Sequence, residues 1–165
     1  MNHSKIGAEL TKSSYTKVTN TELTQRVDFS CCYLYYDGTK YQLDANNYKF
    51  EATVVKTDIN SERYLDYSRI LSFESLRDIM KSVVPDKTFL YSGNYKEQVV
   101  ANALYDTAGI PIEMYEGSVS AEVIVNKISL KLKEALRQYP GVSLKGTKLR
   151  ETVNSYVSWN PEKES

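Results

Sequence analysis

A chain of 165 residues with 41% hydrophobic and 25% charged side chains is long enough to bury a core and has an ordinary globular composition. Lys+Arg and Asp+Glu are equal at 21 each, which removes the electrostatic reason to expect nucleic acid or an anionic membrane as partner. No apolar run nears the roughly 20 residues of a membrane span, and Met1 to Gly7 lacks the apolar stretch of a secretory signal, so the expected setting is cytoplasmic.

Residues 1–14 are polar and aperiodic and read as an arm, 15–160 as one domain and 161–165 as a tail. Alternation begins with Leu23, Val27, Phe29, Cys31, Tyr33 and Tyr35 against Thr24, Arg26, Asp28 and Ser30, the period of a half-buried strand running from about 15 to 36. Cys31 and Cys32, the only cysteines, fall on opposite faces of that strand and fit a reducing compartment. Asp37-Gly38 supplies turn chemistry, and a second strand is predicted from about Lys49 to Thr57, with Phe50, Ala52 and Val54 on one face. Residues 58–63 read as a turn. The 14 tyrosines, amphipathic rings suited to strands and interfaces, fit a β-rich oligomer.

A helix is predicted from about Ser72, its cap, to Val84, with Leu76, Ile79, Met80 and Val83 as the buried stripe and Pro85 as the stop. Asn94-Tyr-Lys-Glu97 reads as a capping box that opens a second helix, with Val99, Val100, Ala103 and Leu104 as its apolar residues and Gly109 as its end. Residues 110–115 read as a short strand, or at least as an extended apolar segment. A third helix follows from about Ala121 to Tyr139, capped by Ser120, with Val125, Ile128, Leu132, Ala135 and Leu136 buried. One or two strands span Val142 to Trp159. This order gives an α+β protein, an antiparallel β-sheet covered by helices on one face.

The stretch "FSCCY…KYQLDANNYKFEATVV" resembles the "FSxxH…CxxLHGHNYxxxVxV" signature of the 6-pyruvoyl-tetrahydropterin synthase and 6-carboxy-tetrahydropterin synthase family. Phe29, Ser30, Leu43, Asn47 and Tyr48 match it. Weaker echoes follow in order: Tyr64 to Tyr67 for "MVxDF", Asp86 to Leu90 for "DHKxL", Ser118 to Glu122 for "NPTAEN", and "LRETVNSYVSW" for "xxETPTSWAEY". The resemblance covers roughly 22–159 and implies a tunnelling-fold subunit that assembles as a trimer or hexamer. The family's three zinc histidines fall on Tyr33, Asp44 and Asn46, its catalytic cysteine on Lys40 and its "DH" pair on Asp86 and Lys87.

The family reaction uses zinc, which needs three ligands drawn from His, Cys, Asp and Glu with one position open. The chain has one histidine, His3, so a three-histidine site within one chain is excluded. A phenol, one carboxylate and an amide make a poor zinc set, and their bland reading is three polar residues filling a former metal cavity. No cofactor is expected. Lys40, Asp86 and Lys87 are the candidate catalytic residues, each with a plain alternative as a solvated surface charge. Glu151 and Thr152 match the family's closing motif, whose glutamate holds the pterin ring. With Tyr33, Asp44 and Asn46 they form the candidate ligand-binding set.

Two functions remain open on these residues. One is a binding or structural homologue, without zinc or ordinary synthase activity, that keeps a pocket for a pterin- or purine-like heterocycle. The other is a metal-free lyase or cyclase acting on a cyclic substrate. The second requires ionisable groups converging on a pocket; the first tolerates a cavity plugged by tyrosines.

Overall fold

The computed structural model describes residues 21–56 and 71–163. The expected arm at 1–14, the start of the first strand, the turn at 58–63 and the Tyr64–Tyr67 element lie outside the described residues.

Two long strands, β1 (Thr21–Tyr36) and β2 (Tyr41–Lys56), form an antiparallel hairpin. Asp37 closes its tip: the carboxylate accepts the backbone N–H groups of Thr39 at 2.8 Å and Lys40 at 2.9 Å, and Gly38 takes φ +98°. The second strand begins at Tyr41, well before the alternation signals it at Lys49. Residues 42–47 are too polar to show the period, but β1 pairs with them along their whole length. Odd positions of β1 and even positions of β2 face inward, burying Val27, Phe29, Phe50, Ala52 and Val54.

Helix α1 (Phe73–Val83) is capped by Ser72, whose hydroxyl accepts the Ser75 N–H at 3.0 Å, and buries Leu76 and Met80. A short strand, β3 (Thr88–Ser92), then runs parallel to β1. After α2 (Tyr95–Ala108), β4 (Ile112–Tyr115) pairs parallel to β3. The sheet is therefore mixed: its order is β4-β3-β1-β2-β5-β6, and only the β1–β2–β5–β6 part is antiparallel. The strand β3 was not expected, because five residues directly after a helix stop show no readable period.

Helix α2 corrects the predicted stripe. It buries Glu97 and Ala101, and Val99, Val100 and Ala103 are exposed. The inward line is 97, 101 and 104, at i, i+4 and i+7, so the valines that look apolar in sequence fall on its outer side.

Helix α3 (Ala121–Ala135) buries Ile124, Val125, Ile128 and Leu132, and its end tightens into a 3₁₀ turn at Leu136–Gln138 before Tyr139. The chain finishes with β5 (Val142–Arg150), β6 (Tyr156–Trp159) and a 3₁₀ turn. In β5, Leu144 pairs with Val54 and Gly146 with Thr53, which leaves Lys145 as the extra residue of a β-bulge. The three helices lie on one side of the sheet, as expected. No helix among the described residues is long and apolar enough to cross a membrane.

Candidate functional site

The polar end of the inward sheet face lies where β1 and β2 approach their hairpin. There the even positions of β2 change from Phe50 and Tyr48 to Asn46 and Asp44, and Tyr33 stands directly across from Asp44. These side chains bind one another. Asn46 donates its amide to Asp44 Oδ1 at 2.8 Å and reaches the Tyr48 hydroxyl at 3.4 Å. Tyr33 hydrogen-bonds toward Tyr48 and Asp44. Its phenol titrates well above the usual tyrosine range, first because burial disfavours the phenolate and then because hydrogen bonding with Tyr48 and Asp44 favours the protonated form. Burial also raises Tyr48, against hydrogen bonds from Tyr33 and Asn46 that lower it.

Beneath this network, Cys31 is buried and its thiol is pushed up to about 12, by desolvation first and then by the neighbouring Cys32 thiol and the carboxylates of Asp44, Asp86 and Glu113. A thiol held protonated is a poor nucleophile. The donor set also disfavours zinc: Tyr33 keeps its proton and Asn46 turns its amide hydrogens toward Asp44, the one carboxylate of the three. Among the described residues no three His, Cys, Asp or Glu side chains gather as a metal set.

Glu151 and Thr152 open the turn between β5 and β6. The N–H of Glu151 donates to the Ser155 carbonyl at 3.1 Å, and Thr152 Oγ1 accepts the N–H of Ser155 at 3.0 Å. The turn is closed by its own residues, so the Thr152 hydroxyl is already engaged. Glu151 is exposed, and its carboxylate has no partner among the described residues. Glu151 follows Arg150, the β5 partner of Lys49, so it stands at the strand end level with Tyr48, whose phenol its charge helps raise.

The candidate catalytic residues are not drawn together. Lys40 is exposed at the hairpin tip, where its N–H serves the Asp37 turn. Asp86 accepts the Ser30 N–H at 3.0 Å and so fastens the start of β3 to β1. Lys87 is exposed, adopts φ 53° and donates its N–H to the Ser30 carbonyl at 2.6 Å. Ser30 lies about 20 Å along β1 from the tip, at roughly 3.3 Å per residue. The sequence reading missed Tyr48 as a site member. The signal was available, because Tyr48 continues the even-position face of Asp44 and Asn46.

No sequence-family model matches the chain, and no curated protein matches it by sequence. By structure it is similar to an uncharacterized protein of Wolinella succinogenes, at TM-score 0.61 and 9% identity over 87% of this chain and 99% of that one. It is also similar to the 6-pyruvoyl tetrahydropterin synthase of Plasmodium falciparum, at TM-score 0.56 and 15% identity over 86% of this chain and 98% of that one. The Caenorhabditis elegans synthase gives TM-score 0.54 and 10% identity over 88% and 99%. The chain thus has the α+β tunnelling fold of the 6-pyruvoyl tetrahydropterin synthases. At these identities the likeness is one of fold alone.

Proposed function

We propose that this protein is a synthase-like binding homologue that has lost the zinc site and ordinary synthase activity and holds a pterin- or purine-like heterocycle through Glu151. The observation that carries this reading is the contrast within the site. Tyr33, Asp44, Asn46 and Tyr48 satisfy one another where zinc ligands would stand, while the exposed Glu151 carboxylate near them has no partner among the described residues. A carboxylate can accept two parallel N–H bonds from the amino-pyrimidinone edge of such a ring. Thr152 holds the turn that presents it.

A metal-free lyase or cyclase has less support, since Lys40 stands apart from Asp86 and Lys87 and both acidic and basic members sit at the surface. Self-association is part of the proposal: β4 and β6 are sheet edges whose backbone groups need partners or cover.

Native mass spectrometry of the purified protein is expected to give a trimer or hexamer with well under one zinc per chain. Titration with neopterin then tests the site, and Glu151→Gln is expected to weaken binding by about 1–3 kcal/mol. Equal affinity of the variant removes Glu151 from the site, and stoichiometric zinc that survives dialysis overturns the metal-free reading.

A further inference from the structure

A different part of the molecule holds a cleft. It opens at the carboxyl ends of the three parallel strands β1, β3 and β4, where it has a volume of about 690 Å³ and is lined by Tyr35, Tyr36, Tyr41, Ser92, Asn94 and Glu97 among others. Neither the Tyr33–Asp44–Asn46–Tyr48 network nor Glu151 lines it. Sheets with parallel strands tend to leave a crevice at this end, where the chain turns away into its helices.

The chemistry of the cleft is set by Glu97, only 6% exposed. In a capping box this glutamate would bond the backbone N–H of Asn94. Here Ser92 intervenes: its hydroxyl donates to Glu97 Oε2 and accepts the Asn94 N–H at 3.2 Å, and its N–H donates to Glu97 Oε1 at 3.3 Å. The cap is thus relayed, and each carboxylate oxygen receives one bond from the same residue. An ionised carboxylate has about four acceptor positions, so roughly half of its capacity is unused. Among the described residues no cation pairs with it. Lys96, its helical neighbour, instead lies 5.9 Å from the centre of the Tyr41 ring. A buried carboxylate with acceptor positions left over favours a donor that fills them, and tyrosine faces attract cations.

We propose that this cleft binds a small organic cation, with its ammonium or guanidinium group on Glu97 and its body against Tyr35, Tyr36 and Tyr41. The occupant needs a slender or flat body to lie along the rings and at least two N–H donors for the open acceptor positions. This site stands independently of Glu151.

Isothermal titration of the intact protein with tyramine and with agmatine tests it, with N-acetyltyramine as the uncharged control. Saturable binding of at least one amine is expected, with N-acetyltyramine weaker than tyramine by about tenfold or more. Glu97→Gln is expected to lower amine affinity by about tenfold with an unchanged circular dichroism spectrum, and Glu151→Gln to leave it unaltered. Should Glu97→Gln fail to fold, Tyr36→Leu decides, because that ring is 59% exposed and its loss leaves the core intact. No saturable binding of either amine, binding of the neutral control as tight as tyramine, or equal affinity in the folded variant overturns the proposal. So does a cleft filled by a second copy, seen as amine binding that appears only when light scattering reports monomer.

Discussion

Strands β1, β2, β5 and β6 meet antiparallel and bury their side chains by alternation, broken once at the Lys145 bulge, against α1 and α3, whereas β3 and β4 meet parallel at one edge under a helix that buries little. In the first region Phe50, Ala52 and Val54 are completely covered, and polar groups gather at the hairpin end and in one buried pair, Ser129 with Thr147, whose hydroxyls bond at 2.6 Å. In the second, α2 turns a carboxylate and an alanine inward and leaves Tyr95, Val99 and Tyr105 in solvent. Stability and room are thus kept in different parts of the fold. The antiparallel region is a closed core, and the parallel edge is a scaffold around a cleft with a charge in its wall.

Alkali gives the largest way to press on that contrast. The Cys31 thiol, at about 12, and the raised phenols of Tyr33, Tyr48 and Tyr115 keep in the native state protons that the unfolded chain releases above its ordinary thiol and phenol values. The unfolded chain then binds fewer protons than the native one, so stability falls as pH rises. It should hold steady to about pH 9 and decline from there toward pH 12, as each group's unfolded value is passed. Urea denaturation across pH 8 to 11 measures this, and a constant midpoint would contradict the burial assigned to these groups.

Next in size is Phe50→Ala, which empties a fully buried site in the antiparallel core. Its cost should be about 3–5 kcal/mol by chemical denaturation. The smallest effect belongs to Val99→Ala on the outer face of α2, where the side chain is 49% exposed. That change should stay within about 0.5 kcal/mol. A loss as large as that of Phe50→Ala would mean that the outer face of α2 is covered in solution and that the two regions are less different than drawn.

The hairpin, all three helices and their caps were legible because each rests on short-range chemistry: alternation in 27–35, Ser72, Asn94 and Ser120 at helix starts, Gly109 in a left-handed turn at an end. What escaped was set by distant partners. Residues 42–47 look like loop and become strand because β1 supplies the hydrogen bonds. Thr88–Ser92 becomes a strand only because β1 and β4 flank it. The inward side of α2 follows the narrow edge beneath it and not the placement of its valines. Within the site, the mutual contact of Tyr33, Asp44 and Asn46 follows from strand register once the hairpin is in place. The role of Ser92 as intermediary between Glu97 and Asn94 has no signature in residue order, since it depends on how a strand end and a helix start happen to meet.

The bulge at Lys145 separates two things that strands usually combine. Leu144, Thr147 and Leu149 all point inward although the intervening count is uneven, because Lys145 absorbs the extra step. Were Lys145 deleted, these three would fall on every second position of an uninterrupted strand, and nothing buried would change sides. The composition of the core is indifferent to that residue; the outline of the sheet is not. A bulge bends and twists its strand, so Lys145 sets the direction in which β5 and the β6 edge beside it leave the body of the molecule. A one-residue deletion there would redraw the silhouette of that edge while leaving the interior as it was.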